Sequence, residues 1–237
     1  MADIESNLAA VRARIAAACR AAGRAADTVQ LLAVSKTFGA DAVRAAHAAG
    51  QSAFGENYVQ EALDKRAQLS DLALVWHYIG PIQSNKTRAI AESFDWVHGI
   101  DREKIALRLS EQRPPSLPPL QVCVQVNISG EASKSGCAPA DAPALCRAVA
   151  ALPRLRLRGL MAIPAPAAEG SDPRAPFRAL RALYESLRRE GLELDTLSAG
   201  MSDDLEAAIA EGSTLVRIGT AIFGSRPRAQ AEAPRPH

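Results

Sequence analysis

The feature of this sequence that most constrains its fold is an eightfold alternation. Short strand-like runs fall near residues 29–35, 52–54, 73–79, 95–98, 120–127, 156–161, 194–198 and 215–218. Helix-like segments lie between them, near 40–49, 57–68, 83–92, 101–112, 139–151, 174–190 and 203–210, and a short one opens after Gly219. Runs that stay mostly apolar mark strands covered on both faces, and strands alternating with helices argue for parallel βαβ units. Eight units in 237 residues fit a single (β/α)8 TIM barrel of the α/β class. A doubly wound open sheet is the alternative. It normally announces itself with GxGxxG after an early strand, and no such motif is present.

Ile4, Leu8, Val11, Ile15 and Cys19 recur at helical spacing, which predicts an extra amphipathic helix before the first strand. Glu5, Arg12 and Arg14 interrupt any apolar core that a signal peptide would need. The segment 114–119 (PPSLPP) reads as a stiff loop, because the repeat resumes directly after it. One domain is expected over residues 1–225. Residues 226–237 hold no apolar residue larger than alanine, proline aside, and are expected to be a disordered tail.

Composition narrows the partners. With 28 basic and 26 acidic residues the formal charge is +2, which gives no broad footprint for nucleic acid. No apolar stretch is long enough to span a bilayer. The four cysteines lack CxxC spacing and the four histidines are scattered, so a cytoplasmic protein with reduced thiols and no metal site is expected. A monomer is expected.

In such barrels the chemistry sits at the C-terminal ends of the strands, and a phosphate site is often built after strands seven and eight. Strand seven ends Leu197-Ser198-Ala199-Gly200, and strand eight ends Arg217-Ile218-Gly219-Thr220. Each end offers a glycine for close backbone approach and a hydroxyl donor, and the short helix after Gly219 suits an anion. Asp203, with Glu206 three residues on, predicts a capping box that would repel an anion from the helix after strand seven. Closure of the barrel sets strand eight beside strand one, which ends LLAVSK. Lys36 therefore belongs beside the phosphate loops. There it could bind phosphate as a point charge, or form a Schiff base with a phosphorylated aldehyde. Pyridoxal 5'-phosphate (PLP) and the sugar phosphates of aldolases both qualify.

Several longer motifs carry a family resemblance. WHYIGPIQSNK (76–86) is the most specific, and FGENYVQE (54–61), VNISGEASKSG (126–136), RGLM (158–161) and the stretch 197–224 accompany it. With these the chain resembles the pyridoxal phosphate homeostasis protein family over nearly its whole length. Tyr78 stands where phenylalanine or methionine is expected. The resemblance implies a barrel like the N-terminal domain of alanine racemase, carrying PLP. It implies Lys36 as the Schiff-base lysine, Arg217 at the pyridine nitrogen, Ser198, Gly200, Gly219 and Thr220 on the phosphate, and Asn57 near the cofactor. It also implies a role in PLP supply, with PLP-dependent apoenzymes as partners and without robust turnover. A PLP-dependent racemase is the competing function. It would need a second base opposite the lysine, which alanine racemase draws from a further domain, and no such domain is read here.

Other polar residues have plainer readings. His77 is expected to be a hydrogen-bonded core histidine, and Cys123 a packing residue. Lys86 and Arg88 read as a solvated helix face, Lys134 as a mobile surface lysine, and Glu56 as a structural group at the 55–57 turn. The run RLRLR (154–158) reads as strand alternation plus edge charge.

Overall fold

Strand pairing is parallel throughout and closes on itself. The computed structural model describes residues 3–131 and 135–225. The strands are β1 (Gln30–Val34), β2 (Ala53–Glu56), β3 (Val75–Tyr78), β4 (Trp96–Ile100), β5 (Leu120–Gln125), β6 (Leu155–Met161), β7 (Thr196–Ser198) and β8 (Leu215–Ile218). They form a closed barrel in chain order. The closing register sets Leu32 opposite Arg217 and Ala33 opposite Ile218. The open-sheet alternative is thereby excluded. The reading of 226–237 as a disordered tail, and of Lys134 as a mobile lysine, falls outside the described residues.

The helices are α1 (Ile4–Ala21), α2 (Ala40–Ala48), α3 (Val59–Gln68), α4 (Thr87–Ser93), α5 (Glu103–Gln112), α6 (Ala142–Ala150), α7 (Ala175–Arg189), α8 (Leu205–Ala210) and α9 (Thr220–Phe223). Asp3 caps α1 by accepting from the Ser6 N–H at 3.1 Å. The predicted stripe of Leu8, Val11, Ile15 and Cys19 is buried. It packs the helix over α8, α9 and α2. Asn7 donates to the Ile222 carbonyl at 2.9 Å, and the Arg14 guanidinium pairs with Glu206. The extra helix thus covers the outside of the seam where β8 meets β1.

Several helix starts differ from expectation for local reasons. Before α4 the chain makes a 3-10 turn over Ser84–Lys86. There the Ser84 carbonyl accepts from the Thr87 hydroxyl and from Arg108 Nε. Helices α6 and α7 each begin with a proline in their first two positions, where the missing N–H costs nothing. The capping box at Asp203 does not form. The N-cap of α8 is Asp204, and its carboxylate turns back to accept from the Met201 N–H at 2.6 Å. Glu206 is engaged by Arg14 instead.

The main core lies between barrel and helices, with Phe54, Phe94, Ile90 and Leu109 fully buried. A smaller apolar cluster of Leu32, Val34, Ala53, Ile79 and Leu215 forms separately from it. Edge charge has no meaning in a closed sheet, so the arginines of RLRLR need another account. Arg154 donates to the Pro114 carbonyl at 2.7 Å and pins the proline loop. Arg158 pairs with Asp195, bonds the Gln121 carboxamide and lies 4.7 Å over the Trp96 ring.

Candidate functional site

Lys36 follows β1 in the turn that leads to α2, and it is half-buried. The ladder continues one step past the strand, where the Ser35 N–H donates to the Gly55 carbonyl at 3.0 Å. Beyond β8, a Cβ placed on Gly219 would stand 3.2 Å from the Val34 carbonyl. The ends of β1 and β8 therefore meet at one rim, with Lys36 and Gly219–Thr220 on adjacent turns. Phe38 stacks on Phe223 of α9 at 5.1 Å, which fastens the turn after Lys36 to the short helix after Gly219.

The turn after β7 joins the same rim. Gly200 has φ +100°, a left-handed conformation that side chains rarely adopt. A Cβ there would meet the Ala208 Cβ at 2.7 Å. The Gly200 carbonyl accepts from the Arg217 N–H at 2.9 Å, holding the turn against β8. Thr220 is exposed at the start of α9, whose first N–H groups have no intrahelical partner. Gly200, Gly219 and Thr220 thus come together as a small-residue cradle. Its anionic neighbour Asp204 is turned back on Met201.

Ser198 does not share that position. Its side chain is fully buried and accepts from Arg217 Nη1 at 2.7 Å. Arg217 also donates to the carbonyls of Ser198 at 2.7 Å and Ala162 at 3.0 Å. These contacts use Nη1 and Nη2 and do not involve Nε. Burial pushes the Arg217 pKa down to about 10, with Asp204 opposing, so the guanidinium stays charged near neutral pH.

Behind Ser198 lies a pair of histidines. His98 Nδ1 is 2.8 Å from Ser198 Oγ, and His98 Nε2 is 2.8 Å from His77 Nδ1. Arginine only donates, which fixes Ser198 Oγ as an acceptor. Ser198 Oγ keeps its own proton and a second lone pair for His98 Nδ1, so the chain from Ser198 through His98 to His77 is satisfied with donation in either direction. It ends at His77 Nε2, a buried atom with no partner among the described residues. The His77 ring stacks on Trp96 at 5.2 Å. Desolvation pushes His77 down to about 3, and lowers His98 well below the usual range with help from His77 and Arg217. The plain reading of His77 as a bonded core histidine agrees with this. His98 carries no sequence signal beyond its place in a strand-like run.

Asn57 follows β2, and its Oδ1 is buried with no hydrogen-bond partner among the described residues. It borders a cavity of about 550 Å³ that Tyr58, Tyr78, Gln83 and Lys86 also line. Lys86 is exposed there, while Arg88 faces solvent near Glu92. Tyr78 packs edge-on against Phe94, and its hydroxyl reaches the Pro81 carbonyl at 3.1 Å. The ring is buried against Phe94, and the hydroxyl adds a contact that phenylalanine or methionine would lack. Cys123 is fully buried, with burial pushing its thiol up to about 12.

Glu56 points away from the 55–57 turn and toward α3. It accepts from the buried ammonium of Lys65 at 2.7 Å and from the Ser35 hydroxyl at 2.5 Å. Nothing in the sequence of the helix-like segment 57–68 marks Lys65 as buried. Among the described residues there is no cluster of three histidine, cysteine, aspartate or glutamate side chains fit for a metal. No helix among them is long and apolar enough to cross a membrane.

A closed parallel barrel with a lysine after its first strand and a glycine-lined cradle after its last two defines a recognisable class. Residues 6–227 match the alanine racemase N-terminal domain family. PipY of Synechococcus elongatus, solved with PLP bound, superposes with a TM-score of 0.80 at 38% identity, covering 94% of this chain and all of that one. The chain is 67% identical to the pyridoxal phosphate homeostasis protein of Pseudomonas aeruginosa, over 95% of its length and 97% of the relative's. The Escherichia coli protein of the same name is 56% identical, over 95% and 98% respectively. The chain belongs to the pyridoxal phosphate homeostasis protein family.

Proposed function

We propose that this protein binds PLP at the rim where β1 meets β8, and holds it for supply to cytoplasmic PLP-dependent apoenzymes without robust turnover of its own. The observation that carries the reading is the closing register, Ala33 opposite Ile218, which brings Lys36 and the Gly219–Thr220 turn onto one rim. PLP supplies an aldehyde that condenses with a primary amine, losing water, and a pyridine ring that can accept electron density. Lys36 is the amine for that aldehyde. Gly200, Gly219 and Thr220 fit the phosphate, because they offer backbone N–H groups and a hydroxyl where side chains larger than hydrogen are excluded. Arg217, with Nε outside its buried contacts, fits the ring nitrogen, and Asn57, two residues past Gly55, which pairs with Val34, lies at the same end of the barrel as Lys36. A fixed cation at that nitrogen opposes its protonation, which makes the ring a poor electron sink and favours holding over turnover. A PLP-bound relative of the same fold supports the choice of ligand.

The test is chemical. Protein loaded with PLP and reduced with borohydride should carry the cofactor mass on the peptide containing Lys36. Lys36→Ala should lose the label yet keep some PLP through the phosphate contacts. Label on another lysine, or on none, overturns the reading.

A further inference from the structure

We infer that Lys65, Glu56 and Glu61 form a positioning device for Lys36, acting from outside the barrel on the two residues that flank it. This rests on the assignment of Lys36 above and extends it to residues that touch no ligand.

The ammonium of Lys65 is buried, with the residue only 4% exposed. Its three donors are all taken: the Ser35 carbonyl at 2.7 Å, Glu56 Oε1 at 2.7 Å and Glu61 Oε1 at 2.6 Å. Glu56 Oε1 also accepts from the Ser35 hydroxyl. Glu61 Oε1 also accepts from the Thr37 N–H at 2.6 Å. Three of these contacts therefore fall on the immediate neighbours of Lys36, two before it and one after. Thr37 needs holding. It has φ +70°, and it is the one non-glycine residue with positive φ among those described. A β-branched side chain seldom adopts that conformation unless surroundings impose it. Burying a cation with two carboxylates is a costly way to stabilise a fold, since apolar groups of similar volume often do as well. The arrangement is accounted for if its task is orientation. It fixes the peptide units on both sides of Lys36, so that the amine meets the aldehyde at the rim. Small displacements of a reacting group slow such a step by about 10–100-fold.

Two variants test this with the full chain. Glu61→Ala removes the clamp on Thr37 at a partly exposed site and leaves the Lys65–Glu56 pair intact. Lys65→Met/Glu56→Gln removes both buried charges together and serves if the first fails to fold. Two ligands are compared on each: PLP, by the rate of borohydride-trappable attachment at Lys36, and pyridoxine 5'-phosphate, which keeps the ring and phosphate but has an alcohol in place of the aldehyde. Attachment should slow by about tenfold or more, with pyridoxine 5'-phosphate affinity held within about twofold. Unchanged attachment, or a parallel loss for both ligands, overturns the inference, the second outcome marking a merely structural role. Absence of label at Lys36 in the unmutated protein overturns the proposed function itself, and this inference with it.

Discussion

Arg217 donates from one guanidinium nitrogen to both the hydroxyl and the carbonyl oxygen of Ser198, at 2.7 Å each. The hydroxyl is therefore part of what holds the arginine. It also ends the histidine chain, so Ser198 and Thr220 should respond differently to the same substitution. Ser198→Ala leaves Arg217 and His98 each short of a buried partner, at a cost of about 1–3 kcal/mol in unfolding free energy. Thr220→Ala, at an exposed site, should leave stability within about 0.5 kcal/mol. It should weaken PLP by about 10-fold or more while leaving pyridoxal, which lacks the phosphate, nearly unchanged. Urea denaturation and titration with the two ligands separate the effects. A phosphate-selective loss in Ser198→Ala with stability intact would reverse the assignment.

The buried histidines predict an acid-sensitive fold. Their pKa values are depressed in the native state, His77 to about 3. The unfolded chain binds their protons near the ordinary value of about 6.5. Their stabilising effect is thus complete above that value and is lost as pH falls through it toward the native pKa. Each histidine contributes a slope of up to about 1.4 kcal/mol per pH unit in that window. Denaturant unfolding measured between pH 7 and pH 5 should show stability falling. His77→Gln should flatten the curve. An identical slope in the variant would place the acid sensitivity elsewhere.

Gly159 in β6 has no room for a side chain. A Cβ there would stand 1.7 Å from the Thr196 carbonyl, beside the irregularity between Val122 and Cys123. Gly159→Ala must move backbone, and a loss of about 3 kcal/mol or more, or failure to fold, is expected. A variant with near-normal thermal unfolding would show that β6 and β7 can part without penalty.

Proton exchange tests the holding role. On the proposed placement of Arg217 at the ring nitrogen, removal of the α-proton of a bound amino acid should be slow. A missing acid–base partner alone lowers such rates by about 10²–10⁴-fold. L-alanine incubated with the PLP-loaded protein in deuterated water should show little α-deuterium and negligible D-alanine by mass spectrometry and chiral chromatography. Rapid exchange with racemisation would establish an enzyme instead of a carrier.

The strands were legible because both faces of each are covered, so that runs such as LLAV stay apolar along their length. The place of Lys36 beside Gly219 followed from closure alone, a rule of topology that needs no side-chain detail. The contacts of Ser198 with Arg217 and His98 could not be read, because they come from other strands and leave no mark on the spacing around Ser198 itself. The capping residue of α8 shifted by one, since Asp203 and Asp204 offer the same side chain. His98 with His77, and Lys65 with Glu56 and Ser35, could not be read at all. Those contacts join different strands and helices, and their spacing along the chain depends on loop lengths that carry no signal of their own.

The seam between β1 and β8 has a temporal consequence. The two strands that frame the rim are the first and the last to leave the ribosome, with six others between them. Synthesis proceeds residue by residue from the amino end, and pairings between distant segments are the slowest to form. Lys36 is made with the first strand, yet the turn at Gly219 beside it arrives only after the eighth strand. A nascent or truncated chain therefore has the amine without the cradle. On the proposed assignment, capture of a ligand at this rim reports that all eight strands have been made and that the barrel has closed.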